Sequence, residues 1–201
     1  MNRPNKKVVR NILIVTLAAL GLLGLICGIL LYLVTSPVPT GSWDVHPIAF
    51  KDSTADALDS KIEKLRNDVD NASSGDVLVL RITEEEATCG LDRYIRQRNV
   101  SVETYVPQVY FSNGTVLVLA KVHVGVYMKS AVQVTVAAKD GKADFTVKRV
   151  DLGRLTVPKT LVNNIMTAVE HEVGGEWDDL PVVIDEVAVK DGLLKVIMVK
   201  K

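Results

Sequence analysis

Cysteine is almost missing from this 201-residue chain: Cys27 and Cys89 are the only two. Cys27 sits inside a long apolar run, so the rest of the chain holds one thiol and cannot form an internal disulfide. Whatever folds there must be held by an apolar core. Aromatic residues make up 5% of the chain, too few for a surface that stacks sugars or nucleobases. A net charge is missing as well, at 24 basic against 24 acidic residues. No serine-centred elbow, glycine-rich phosphate loop or paired-carboxylate motif occurs, which predicts a protein that is not an enzyme and carries no cofactor.

The zero charge conceals an asymmetry. Arg3, Lys6, Lys7 and Arg10 precede the apolar run with no acid among them, and the remainder holds 20 basic and 24 acidic residues, a balance of −4. That argues against nucleic acid as a partner, because phosphates call for a basic face. The apolar run itself, Ile12 to Val34, is 23 residues without a charge. At about 1.5 Å per residue it would be roughly 34 Å long as a helix, enough for a hydrocarbon core of about 30 Å. The basic flank predicts that the N-terminus stays in the cytoplasm and that the chain from Thr35 onward is carried across the plasma membrane. The run is too long for the apolar part of a cleavable signal, and its exit, Val34-Thr35-Ser36-Pro37, is poor cleavage context. The expected organisation is a basic tail (1–11), a transmembrane anchor (12–34), a juxtamembrane linker (35–52) and one extracytoplasmic domain (53–201). Gly21, Gly24 and Gly28 fall at small-residue spacings that would let two spans approach, so a homodimer through the span is a candidate.

Beyond a linker marked by Pro37, Pro39, Gly41, Trp43 and Pro47, Ser53 or Thr54 is expected to cap a helix running to about Ala72, with Leu58, Ile62, Leu65 and Val69 on one face. Asp76 to Ile82 reads as a strand. Thr83 with Glu86 forms a capping box, and a helix follows that carries Ala87, Leu91, Tyr94 and Ile95 inward. From Val102 the sequence is of β type. Asn113-Gly114, Gly125 and Asp140-Gly141 divide it into a meander: Thr115 to Val126, Lys129 to Ala138, Ala143 to Val150. Pro158 opens a third helix, and Pro181 introduces a closing hairpin, Val182 to Val189 and Leu193 to Val199. The predicted class is α+β, a long antiparallel β-meander packed with about three helices.

Candidate chemistry is sparse. His171-Glu172 starts like a zinc-binding HExxH helix, but Gly175 stands where the second histidine belongs, so no metal site is expected. Glu84, Glu85 and Glu86 are explained by the positive end of a helix dipole, and Cys89 by burial as a small apolar side chain. The positive signal is the valine-rich sheet. Val116, Val118, Val122, Val124, Val132, Val134 and Val136 share its apolar side, opposite Leu161, Ile165 and Val169 of the third helix. Such layers either close as a solid core or enclose an acyl chain or envelope lipid.

The basic tail and anchor, the element Leu80-Arg81-Ile82-Thr83-Glu84-Glu85-Glu86, the element Val150-Asp151-Leu152-Gly153-Arg154-Leu155-Thr156-Val157-Pro158 and the closing Leu180-Pro181-Val182 hairpin resemble the YpmS-like family of single-span bacterial envelope proteins. The layout is also similar to that of BPI-like lipid-binding proteins, in which a long sheet curls around a helix. Where YpmS-like chains tend to place an asparagine after the acidic helix start, this one has Ala87-Thr88-Cys89-Gly90. The resemblance implies an envelope binding protein and carries no catalytic residues with it. The leading expectation is an anchored domain holding a lipid or acyl chain between sheet and helix. The alternative is a non-enzymatic structural or interaction protein with a solid core, assembling with an envelope enzyme or transporter.

Overall fold

In the computed structural model the described residues are 25–41, 43–97, 103–160, 162, 181–190 and 192–201, with the side chains of 103–105 and 124 left aside. Among them are three helices, α1 (25–35), α2 (Asp52–Asn71) and α3 (Glu84–Gln97), and helical residues 159–160 and 162 where the sequence predicts a helix opening at Pro158. The eight strands are β1 (Val77–Thr83), β2 (Glu103–Ser112), β3 (Thr115–Val124), β4 (Val126–Lys139), β5 (Lys142–Leu152), β6 (Leu155–Thr156), β7 (Val182–Lys190) and β8 (Leu193–Lys200). The class is α+β, with two antiparallel sheets of order β1-β8-β7 and β2-β3-β4-β5-β6. The meander is as long as its alternation suggests, but β1 and the closing hairpin form a sheet of their own. Among the described residues no helix is long and apolar enough to cross a membrane, and residues 12–24 of the apolar run lie outside them.

Helix α2 forms because Ala55, Leu58, Leu65 and Val69 recur on one stripe and are buried together. It begins one residue before the expected caps: Lys51 holds the N-cap position with no side-chain hydrogen bond, so Ser53 and Thr54 already lie in the first turn. The capping box of α3 is present, Glu86 N donating to Thr83 Oγ1 (3.3 Å) and Thr83 N to Glu86 Oε2 (3.1 Å). Arg93 ties the two helices, its guanidinium 2.8 Å from Asp56 and 2.6 Å from Asp59. Ala87 and Leu91 face inward as expected, whereas Tyr94 does not and is 46% exposed. The buried stripe of α3 instead includes Glu86, Thr88, Cys89 and Asp92, because this helix lies along a strand edge and supplies it with polar partners.

Both short turns of the meander are built on paired positive φ angles, +46° and +75° at Asn113-Gly114 and +52° and +77° at Asp140-Gly141, which suits two-residue hairpins. These tips abut the other sheet. Gly114 N donates to Val189 O and Ile184 N to Gly141 O, each at 2.8 Å. The core follows in patches: Leu65, Val69, Leu80, Val182, Ile184 and Met198 between α2 and the small sheet, and Val109, Phe111 and Val189 beneath α3.

The proline-rich stretch after α1 is a strap across the large sheet. Val38, Trp43, Val45 and Ile48 pack on Tyr110, Leu117, Leu119 and Ala131. Gln108 holds it by a two-way clamp, Oε1 accepting from Ile48 N (2.6 Å) and Nε2 donating to Ile48 O (3.0 Å), while Tyr110 Oη donates to His46 O (2.7 Å). Apolar side chains on one face of an extended segment explain why it lies down.

Candidate functional site: an open strand edge

An antiparallel strand points the N–H and C=O of alternate residues to alternate sides. Lys200 N donates to Asp76 O, in register with the β1–β8 ladder. By parity Leu78, Leu80 and Ile82 turn their main-chain groups toward β8, and Val77, Val79, Arg81 and Thr83 turn theirs away. Two side chains cover the far end of that outer edge. Glu86 accepts from Thr83 N, and Lys61 Nζ donates to Arg81 O (3.2 Å) while resting 2.6 Å from Glu86 Oε1. The outward groups of Val77 and Val79 have no partner among the described residues.

The edges of β2 and β7 are sealed, and that of β5, which β6 pairs only at Asp151 and Leu152, carries Lys142, Lys148 and a register shift. On β2, Val109 N donates to Thr88 Oγ1 (2.9 Å) and Phe111 N to Glu84 Oε1 (2.5 Å), and Phe111 O accepts from Gly192 N (3.1 Å). Glu84 therefore does more than favour a helix dipole: with Thr88 it seals an edge. On β7 the two hairpin tips occupy Ile184 N and Val189 O. An open apolar edge is a liability that proteins usually blunt with lysine, proline or a bulge. From Val77 to Leu80 the strand has none of these, and its register with β8 is unbroken.

Beside this edge runs an open groove of about 420 Å³, lined by Lys61, Lys64, Leu65 and Asp68 of α2 and by Val79, Leu80 and Arg81 of β1. Lys64 meets Asp68 at 2.5 Å, an exposed pair one helix turn apart, and such pairs contribute little. The outer face of the small sheet continues the site, since Val77 and Val79 share it with Val183, Ile197 and Val199. Val77 is 63% and Val79 47% exposed.

No family model, curated protein or solved structure matches the chain. The functional reading therefore rests on geometry.

The valines expected to line a ligand groove do share one sheet face, through the pairs Val116↔Val134, Val118↔Val132 and Val122↔Met128. Val116, Val118 and Val136 pack against the buried cluster of Val109, Phe111 and Val189, as do Ala87, Leu91 and Leu194, and Val122, Val132 and Val134 are half-buried. Val124 is in β3, while Leu161, Ile165 and Val169 lie outside the described residues, as does His171. Gly21 and Gly24 lie outside them too. Gly28 is in α1, exposed, with nothing within 4 Å of where a Cβ would stand. Cys89 is fully buried. In a smaller recess of about 140 Å³ between Phe50, Asp92, Arg96 and Pro107, Thr88 is engaged with Val109 and Gln108 with Ile48, while Asp92 Oδ2 is buried in an ion pair with Arg96 Nε (2.7 Å) and accepts no hydrogen bond. Among the described residues no group of three or more His, Cys, Asp or Glu gathers to hold a metal ion.

Lys61, Lys64, Val77, Val79 and Arg81 give no sign of a site in the sequence. The local pattern marks a strand and a helix. Whether that strand is central or an edge depends on a partner more than a hundred residues later, as in Val77↔Val199.

Proposed function

We propose that the chain is a single-span envelope protein whose extracytoplasmic domain is an interaction module, binding an extended, acidic segment of a partner by strand addition along β1. The carrying observation is the contrast between the sealed edges of β2 and β7 and the open one at Val77 and Val79. In strand addition the main chain supplies affinity, and pockets for alternate side chains supply selectivity. Here the alternate positions meet Leu65 and the aliphatic rim, and Arg81, beside the Lys61–Glu86 and Lys64–Asp68 pairs, favours a carboxylate. A contact of this size belongs with small, transient interfaces, so micromolar or weaker affinity is expected. The same physics favours this over a lipid held beneath the valine face, where Val116, Val118 and Val136 already pack against side chains of the domain.

The test uses the full chain in mild detergent and two six-residue peptides, one alternating valine with glutamate and one alternating valine with lysine. Saturable binding of the acidic peptide is expected, weakened at least tenfold by Val79→Pro, whose lost N–H points away from β8, and by Arg81→Glu. Equal binding of the two peptides, or indifference to both substitutions, would overturn the reading. A concentration-dependent dimer that Val79→Pro abolishes would show a second copy to be the occupant instead.

A further inference from the structure

The end of α1 is fastened to the domain by main-chain contacts. Its last carbonyls are accounted for one by one: Leu31 O accepts from Thr35 Oγ1 (2.8 Å), Tyr32 O from Ser36 Oγ (2.6 Å), and Leu33 O from Arg154 N (2.8 Å), which belongs to the β5–β6 turn. Gly153 in that turn lies so close that a Cβ there would stand 2.2 Å from Leu33 O and 2.4 Å from Val34 O. Its own N–H donates to Lys129 O (2.7 Å) on β4. Three consecutive contacts therefore connect the last apolar residues of the 12–34 run to the sheet, and Ser36, just after the run, is buried.

If the run spans a bilayer, the reading on which the inference rests, these contacts put the β5–β6 turn and the facing part of β4 beside its end. Leu33 and Val34 end the apolar run, at the boundary of the hydrocarbon. Each headgroup layer is about 5–7 Å thick. Lys129 is one strand spacing, about 5 Å, from Gly153, and Lys121 stands directly opposite Lys129 in the β3–β4 ladder. Lys121, Lys129 and Arg154 are exposed and have no ion pair among the described residues. Like charges directly opposite across two strands repel. Past them, the hairpin tip carries Val126, 37% exposed, and Tyr127, 61% exposed and stacked on His123 at 4.5 Å, an aliphatic and an aromatic side chain suited to a membrane interface.

We infer that Lys121, Lys129 and Arg154, with the β3–β4 tip, form a surface that rests on anionic lipid headgroups at the mouth of the span. The headgroup phosphates relieve the Lys121–Lys129 repulsion, and the main-chain latch at Gly153 holds the three cations in that layer.

The experiment uses the full chain carrying Cys27→Ser and Val126→Cys, labelled at position 126 with an environment-sensitive fluorophore. The buried Cys89 stays unlabelled. The chain is reconstituted in nanodiscs of phosphatidylcholine alone or with phosphatidylglycerol. A blue shift in the anionic discs is expected, halved or better by Lys121→Glu/Lys129→Glu, partly reduced by Lys121→Gln/Lys129→Gln, and weakened by salt. Identical emission in the two lipid compositions, or a shift that survives charge reversal, overturns the inference while leaving the span reading intact. A chain that a carbonate wash strips from the discs overturns both.

Discussion

Replacing Gly153 by alanine tests the latch, and Gly125→Ala supplies its control. Both glycines have positive φ, +58° and +75°, so both substitutions carry the cost of a left-handed alanine, about 1–2 kcal/mol. Both also gain the same small benefit from a stiffer unfolded chain. They differ in what the new methyl meets. At Gly125 nothing lies within 4 Å, whereas at Gly153 the methyl falls 2.2 Å from Leu33 O and 2.4 Å from Val34 O, both backbone atoms. Restoring ordinary contact takes a displacement of about 1 Å, which breaks the 2.8 Å bond from Arg154 N to Leu33 O, worth about 0.5–1.5 kcal/mol. Undocking caps the loss, because the domain core does not involve α1. Gly153→Ala should therefore cost about 1–2 kcal/mol more than Gly125→Ala in urea unfolding of the full chain in detergent. Protease cleavage within residues 36–47 should quicken about tenfold, the factor that corresponds to about 1.4 kcal/mol when opening is fast. If the two variants unfold within about 0.5 kcal/mol of each other and the strap is cut no faster, the latch holds nothing.

Two further outcomes concern the strap. Gln108→Leu removes both arms of the clamp on Ile48 and leaves its N–H and C=O buried without partners, so a loss of about 2 kcal/mol and faster cleavage near Ile48 are expected in the same two assays. Tyr110 is pushed above its ordinary value of 10.0, first by burial and then by the negative charge of Glu84. The fold thus favours the protonated phenol. That contribution is complete below pH 10 and is lost as pH rises through the raised folded value. Wild type should lose stability above pH 10 faster than Tyr110→Phe, which forfeits the bond to His46 O, about 1 kcal/mol, at every lower pH. Parallel urea melts at pH 7 to 11.5 compare them, and equal slopes above pH 10 would dismiss the burial argument.

What could be read from the sequence was local. The Thr83–Glu86 capping box, the Asn113-Gly114 and Asp140-Gly141 turns and the alternation of β3 and β4 each depend on neighbours a few residues apart, and all are present. The strap was not legible, because Pro37, Pro39 and Pro47 mark irregular backbone without saying what it lies on. Tyr94 was misplaced inward because amphipathic periodicity assumes that a helix buries its apolar stripe, and α3 instead turns Thr88 and Glu84 to the edge of β2. The open edge of β1 was invisible for a related reason: edge status belongs to a sheet, and this sheet joins segments from opposite ends of the domain.

That long-range pairing also shapes how the protein comes to exist. The β2–β5 meander closes between neighbours and can form as the chain emerges, but β1 has no strand to pair with until β8, which starts at Leu193, 110 residues after β1 ends at Thr83, has been made. During that interval β1 has no strand beside it, and an apolar strand with bare edges is what aggregates recognise. Folding of the small sheet thus waits for β8, and truncating β8 should yield insoluble protein rather than a smaller domain.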